Sequence, residues 1–337
     1  MKALVINKPF DMEVKNCNDP QLAPGEVLLQ VSASGICAGD LYYYMGKNPY
    51  ATYPQICGHE ISGIVMAVGL NVSAVKVGTR VVVEPFISCG KCYPCRIGKN
   101  NCCANLSIIG VHKPGGYADL VAVPASHVYE VPDNLDLSKA ALAEPVTIAL
   151  HACYRGEVQA DEQVLIAGCG PIGIFCIEVA RAKGAKVYAC DINRNRLRIA
   201  EELGAVTFLS DDSFIENIFD HTNGEGFPVV IEATGVPDVM SQTVDMVAAG
   251  GRIVIAGLVK KGIKVPFEGL DFTRKELTIL GTRTEINCFP EALALLAENK
   301  IKFADLSTHI NMWDAPGIFS QLNEHPGIIH KGLLIRN

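Results

Sequence analysis

The sequence predicts two domains: an irregular, mostly β domain and an α/β domain built on a parallel sheet. Three observations carry this. Short Val-, Gly- and Pro-rich runs fill the chain up to about Ser138, strand-like and helix-like runs alternate after it, and a glycine-rich turn joins one of those strands to a helix. A chain of 337 residues is long enough for about two domains, and 49% hydrophobic against 19% charged residues fits a well-buried globular enzyme.

In the first part, Glu26-Val27-Leu28-Leu29-Gln30-Val31 and Arg80-Val81-Val82-Val83 read as strands, separated by turns such as Ala23-Pro24-Gly25 and Lys113-Pro114-Gly115-Gly116. The opening Met1–Lys8 run is too short for a signal peptide and reads as a first strand. In the second part, Val164–Ala167, Lys186–Cys190, Val229–Ala233 and Arg252–Gly257 are strands separated by helical segments. Alternating βα units imply a parallel sheet covered on both faces. Beyond Gly281 the chain turns helical, and Gly332-Leu333-Leu334-Ile335 is a strand expected to return to the first domain.

Several function classes are disfavoured. Net charge is -7 with no basic run, which argues against a nucleic-acid surface. The longest apolar stretch, Val164–Ala180, is broken by Gly168, Gly170, Pro171, Gly173 and Glu178, so it is a strand-turn-helix rather than a membrane span. Thirteen cysteines in a large chain without a secretion signal suggest reduced thiols and a cytoplasmic location.

The turn Gly168-Cys169-Gly170-Pro171-Ile172-Gly173 follows a strand, opens a helix and is followed by a second strand ending at Asp191. That context makes it a dinucleotide site. The first glycine permits the tight turn, the second admits the pyrophosphate, and the third lets helix and sheet pack closely. Free N–H groups at the helix start receive phosphate. Asp191 would bond the adenosine ribose and repel a 2′-phosphate, favouring NAD, although Arg194, Arg196 and Arg198 nearby offer a phosphate-holding alternative. Thr234 and Gly257, at the ends of later strands, complete the candidate coenzyme set.

Cys89, Cys92 and Cys95, with Cys103 or the adjacent Cys102, have the spacing of a four-thiolate zinc site. Four thiolates leave no open position, so this zinc would be structural. An iron–sulfur run would need a fourth cysteine after a three-residue gap and then a proline, and has neither here. Cys37, His59, Glu60 and Glu144 are the donors for a second, open zinc site, though spacing alone does not link them. Singly, Cys37 reads as a core cysteine, His59 as a hydrogen-bonded turn residue and Glu144 as a helix-start carboxylate.

The order Gly-Ile-Cys37-x-x-Asp, Gly-His59-Glu60, four-cysteine loop, Glu144-Pro145 and glycine turn resembles the zinc-dependent medium-chain dehydrogenases over essentially the full length. The Glu-Pro pair looks like the sorbitol, polyol and threonine dehydrogenase branch. The stretches 101–117 and 275–283 look closest to bacterial hexonate dehydrogenases, of the L-galactonate 5-dehydrogenase and starvation-sensing types. The resemblance implies a GroES-like catalytic domain from 1–145 and 286–337, with a structural zinc lobe at about 86–105, and a Rossmann domain from 146–285. It selects Cys103 over Cys102 as fourth thiolate. It implies Cys37, His59 and a carboxylate on catalytic zinc, with Glu60 and Glu144 sharing or exchanging the roles of ligand and water holder. Two zinc ions and NAD per chain follow, as does a homodimer or homotetramer.

The implied activity is reversible oxidation of a secondary alcohol of a polyol or sugar acid, with hydride passing to NAD. L-threonine or butanediol oxidation is the alternative, and a non-catalytic NAD-binding sensor is an alternative of another class. Relatives carry Ser or Thr where this chain has Gly39, and many carry His where it has Tyr42, so the usual proton relay lacks its first member. Water, Glu60 or one of Tyr42, Tyr43 and Tyr44 is the substitute. Arg283 is a candidate grip for a substrate carboxylate, since a guanidinium pairs with it through two parallel bonds; a surface arginine or coenzyme contact is the other reading.

Overall fold

The computed structural model describes residues 1–336, which form two compact units. The first comprises Met1–Glu144, Phe289–Glu298 and the chain from Ala304 onward; the second comprises Pro145–Cys288 and Asn299–Phe303.

Alternating apolar residues in Glu26–Gly35 bury one face of that strand, as half-buried strands do. It is central to a seven-stranded sheet, pairing antiparallel with Glu60–Val68, Leu120–Pro124 and Gly332–Ile335. Arg80–Val83 and Val128–Glu130 extend one side and Thr308–Asn311 the other. The core beneath holds Leu29, Val31, Tyr43, Ile61, Val81, Tyr117 and Phe319, all 2% exposed or less. A two-stranded lobe, Phe86–Ile87 with Ser107–Ile108, brackets the cysteine-rich loop.

The second unit is a six-stranded parallel sheet. Numbered along the chain from Gln163–Ala167, its strands lie in the order 3-2-1-4-5-6, the doubly wound order whose reversal point lies beside strand 1. Every residue of Val164–Ala167 and Val229–Ile231 is fully buried, which explains why these strands read as unbroken apolar runs.

Residues 299–303, placed with the first domain by the sequence division, cluster with the second unit. The buried Glu178 carboxylate accepts from the backbone N–H groups of Lys302 and Phe303, and the Phe303 ring meets Phe175 edge-on at 5.3 Å. A carboxylate bonded to backbone amides is a strong tether.

Candidate metal and dinucleotide sites

Cys37 follows the strand Glu26–Gly35 and caps the helix Ala38–Tyr44. Its thiol accepts from Gly39 N at 3.5 Å, while its own N–H donates to Asp40 Oδ2 at 3.0 Å. Glu60 begins the neighbouring strand, opposite Gly35, and His59 immediately precedes it. One donor atom each from Cys37, His59 and Glu60 falls within 4.8 Å of the others.

Glycines make this approach possible. A Cβ on Gly35 would lie 1.7 Å from Glu60 Oε2, so any side chain there would occupy the carboxylate's place. Gly58 has φ +92°, and a Cβ on it would meet the Tyr117 ring at 2.5 Å. The Gly-Ile-Cys and Gly-His-Glu motifs are thus partly about room for the donors.

Behind the donors lies a buried polar chain that sequence reasoning left without a role. Asp40 Oδ2 accepts from Tyr117 OH at 2.8 Å, and Asp40 Oδ1 lies 3.5 Å from His59 Nδ1. Burial alone would raise the Asp40 pKa, but His59, the Cys37 N–H and the Tyr117 hydroxyl hold it below the ordinary range. Burial works against an imidazolium at His59, yet Asp40 and then Cys37 lift its pKa well above the ordinary value. Lys331, 4% exposed, donates to Glu60 Oε1 at 2.5 Å and to Ile36 O at 3.1 Å. Burial disfavours its charge, but Glu60, Cys37 and Glu144 raise its pKa overall. Glu60 Oε2 is buried with no hydrogen-bond partner. A buried carboxylate oxygen left unpaired beside a thiol and an imidazole is the environment a divalent ion satisfies.

Glu144 lies outside the three-donor set, buried at 6% exposure in the first turn of Ala143–Arg155. Tyr42 is 53% exposed on the helix that follows Cys37. Arg283 is exposed in the second unit.

Cys89, Cys92, Cys95 and Cys103 converge in the same way. Cys92 Sγ lies 3.4 Å from Cys95 Sγ and 3.8 Å from Cys103 Sγ. Sulfurs about 2.3 Å from a common zinc in a tetrahedron are about 3.8 Å apart, so the set fits that ion. Backbone N–H groups of Lys91 and Cys92 draw Cys89 down to about 6, favouring thiolate. Cys103 is buried, whereas Cys102 is exposed.

In the second unit, Gly168 has φ +101°. A Cβ on Gly173 would lie 1.8 Å from Gly168 O, while one on Gly170 would meet nothing within 4 Å. The first and third glycines are therefore packing requirements, and the second opens onto free space. Gly170 caps the helix Pro171–Ala182 without a side-chain bond, leaving the Ile172 and Gly173 amides at its first turn for an anion. Asp191 is pinned from both sides: Cys169 N donates to Oδ2 and Asn193 N to Oδ1, each at 2.8 Å, and Arg196 Nη1 lies 3.7 Å from Oδ2. It holds the glycine turn, a role the sequence motif did not reveal. Thr234 N donates to buried Glu232 at 2.7 Å, and a Cβ on Gly257 would lie 2.1 Å from Gly235 N. The turns after these two strands are packed against each other. Among the described residues, no helix is long and apolar enough to cross a membrane.

Comparison with known proteins bears on both sites. Residues 23–133 match the family described as alcohol dehydrogenase GroES-like domain, and residues 171–298 match the one described as zinc-binding dehydrogenase. The chain is 39% identical over 330 residues to an uncharacterized zinc-type alcohol dehydrogenase-like protein of Haemophilus influenzae, covering 97% of this chain and 96% of that one. It is 34% identical to L-galactonate-5-dehydrogenase of Escherichia coli, covering 92% and 91%, and 36% identical to L-threonine 3-dehydrogenase of Bacillus subtilis, covering 86% and 85%. Among solved structures, rspB alcohol dehydrogenase of Escherichia coli complexed with NADH superposes with TM-score 0.92 at 31% identity, covering 99% of each chain. A zinc-binding dehydrogenase of Sinorhizobium meliloti bound to NADP does so with TM-score 0.92 at 33% identity, covering 99% and 98%.

Proposed function

The chain belongs to the zinc-binding alcohol dehydrogenase family with a GroES-like domain, and from that premise we propose that it oxidises a secondary alcohol of a polyol or sugar acid, with NAD as the hydride acceptor. The convergence of the Cys37, His59 and Glu60 donors, the first two half-buried and the third buried, carries the reading. It is the open thiolate–imidazole–carboxylate set that a catalytic zinc uses. When bound, zinc acts as a Lewis acid on a substrate hydroxyl, and the nicotinamide supplies the hydride chemistry.

The roles of the chain's own groups follow from their surroundings. Cys37 would ligate from the start of the helix Ala38–Tyr44, held there by the bond from its amide to Asp40. His59 turns Nδ1 toward Asp40, which leaves Nε2 for the ion and makes Asp40 the orienting carboxylate. Glu60 would hold the ion as the third donor; Lys331 holds its Oε1, and its Oε2 has no partner. Glu144, the other buried glutamate, would share the ligand role with Glu60 or receive the hydroxyl proton. With no hydroxyl at Gly39, water or the exposed Tyr42 carries that proton outward. Cys89, Cys92, Cys95 and Cys103 hold the structural ion.

The preference for NAD over NADP rests on Asp191, whose carboxylate is fixed at the end of Lys186–Asp191 and repels a 2′-phosphate. The sugar-acid and polyol classes rest on the likeness to L-galactonate-5-dehydrogenase and on Arg283 as a carboxylate grip. The likeness to L-threonine 3-dehydrogenase favours a second reading on the same apparatus, oxidation of a β-hydroxy amino acid. One screen separates them. Zinc-replete protein is given NAD with aldonates, polyols, L-threonine and 2,3-butanediol, and NADH formation is followed. Faster turnover of an aldonate than of its matching polyol, lost in Arg283→Ala, supports the sugar-acid reading. Turnover of L-threonine alone selects the second. Binding of NAD with no turnover of any of them marks a sensor.

A further inference from the structure

We propose that Lys331 is a positioning residue for the catalytic metal: it holds Glu60 by one carboxylate oxygen and so leaves the other as the ligating atom. The inference rests on Cys37, His59 and Glu60 being the ligands of that metal.

The geometry divides the two oxygens of Glu60 between two cations. Oε1 takes the Lys331 ammonium at 2.5 Å, and Oε2 is buried and unpaired. Neither partner of the pair can drift. Lys331 is fixed through its backbone, since Thr308 N donates to Lys331 O at 2.8 Å and Ile36 N to Gly332 O at 2.9 Å. Its ammonium is fixed by Ile36 O at 3.1 Å. Glu60 is fixed by strand pairing opposite Gly35, with its carboxylate lying over that glycine. One oxygen on lysine prevents the carboxylate from chelating the ion with both, which keeps a coordination position open for substrate.

The arrangement also defines the state without metal. Cys37, Glu60 and Glu144 lie around one buried lysine. Removing one partner of a buried ion pair leaves an uncompensated charge, which is strongly destabilising. A metal ion relieves that cost in the loaded protein but not in the empty one. Loss of the lysine charge must therefore destabilise the metal-free protein more than the metal-loaded one, and by linkage the metal binds more tightly. A residue that merely packs would lower the stability of both states alike.

The test uses the full chain, stripped with a chelator and reloaded with zinc or cobalt at pH 8. Two metals per wild-type chain is the condition set by the ligand reading; a single metal would refute that reading rather than the role of Lys331. Lys331→Met is expected to raise catalytic-site zinc affinity at least about tenfold in competition with a chromogenic chelator. It should also weaken the visible ligand-field bands of the cobalt form, as Glu60 closes with both oxygens. Lys331→Arg, which keeps the charge, should retain wild-type affinity and bands. In Glu60→Gln/Lys331→Met, with both charges gone, the gain in affinity should vanish. If metal-free Lys331→Met fails to fold, recovery of folding in the double variant makes the same point. Unchanged affinity and bands in Lys331→Met, an equal change in the double variant, or a double variant as unstable as the single one would overturn the proposal.

Discussion

Replacing Gly35 by alanine tests the donor geometry with a single methyl group. The new Cβ would lie 1.7 Å from Glu60 Oε2 and 2.7 Å from Glu60 Cδ, against ordinary contact from 3.4 Å upward. The three nearest atoms, out to Cβ at 3.1 Å, all belong to Glu60, so the clash falls on that side chain. The carboxylate must retreat by about as much as the overlap, roughly 1.7 Å, from a position where a 1 Å error already costs about 100-fold in rate. Its bond to Lys331 goes with it. The strand itself remains paired, and overpacking of this kind costs about 1–3 kcal/mol, so the protein should still fold. Gly35→Ala is therefore expected to keep one zinc per chain, in the four-cysteine lobe, and to lose the other. NAD-dependent turnover should fall at least about 100-fold. Elemental zinc analysis, a thermal melt and NADH formation read these three quantities on one preparation. A variant with two zinc ions per chain and near-wild-type turnover would refute the placement of Glu60 over Gly35.

Three further outcomes follow. Cys103→Ser should release the structural zinc and destabilise the fold, whereas Cys102→Ser, at an exposed position, should leave zinc content and melting unchanged. Gly39→Ser meets only Cys37 Sγ, at 3.8 Å from the new Cβ, so its stability should stay within about 0.5 kcal/mol of wild type; steady-state kinetics should show faster turnover at neutral pH, because the new hydroxyl gives the departing proton a carrier. Burial works against the Asp119 carboxylate, but Arg336 at 2.7 Å and the Lys2 amide hold its pKa below the ordinary range. A carboxylate depressed in the folded state adds stability at neutral pH that is lost as the pH falls below about 4. Asp119→Asn should thus lower the urea midpoint at pH 7, and the difference should shrink as the pH is taken progressively below about 4.

The parts of the protein visible in the sequence were those whose determinants lie close together along the chain. The dinucleotide turn was legible because strand, three glycines and helix follow one another, and each glycine has its own steric demand. The four-cysteine loop was legible for the same reason. Cys37, His59 and Glu60 carry no mutual signal in their spacing; they were joined by family resemblance, and in space by the pairing of Gly35 with Glu60. Asp40 closes the Gly-Ile-Cys-x-x-Asp motif, but its bond from Tyr117 and its approach to His59 are tertiary. Lys331 gave no signal, since 271 residues separate it from Glu60. The placement of 299–303 depends on Glu178, a helix residue more than a hundred positions earlier that no periodicity connects to it.

The strand Gly332–Ile335 lies between Thr308–Asn311 and Glu26–Gly35, and Lys331 stands just before it. During synthesis this imposes an order. The nucleotide-binding unit has all its residues once Phe303 has left the ribosome, and is free to fold while translation continues. The other unit begins with the first residue and finishes more than three hundred residues later. Until then its central strand has an open edge, and Glu60 has no lysine to neutralise it. Premature termination a few codons before Lys331 would yield a chain able to bind dinucleotide, yet with a frayed metal pocket and an unpaired strand edge open to aggregation.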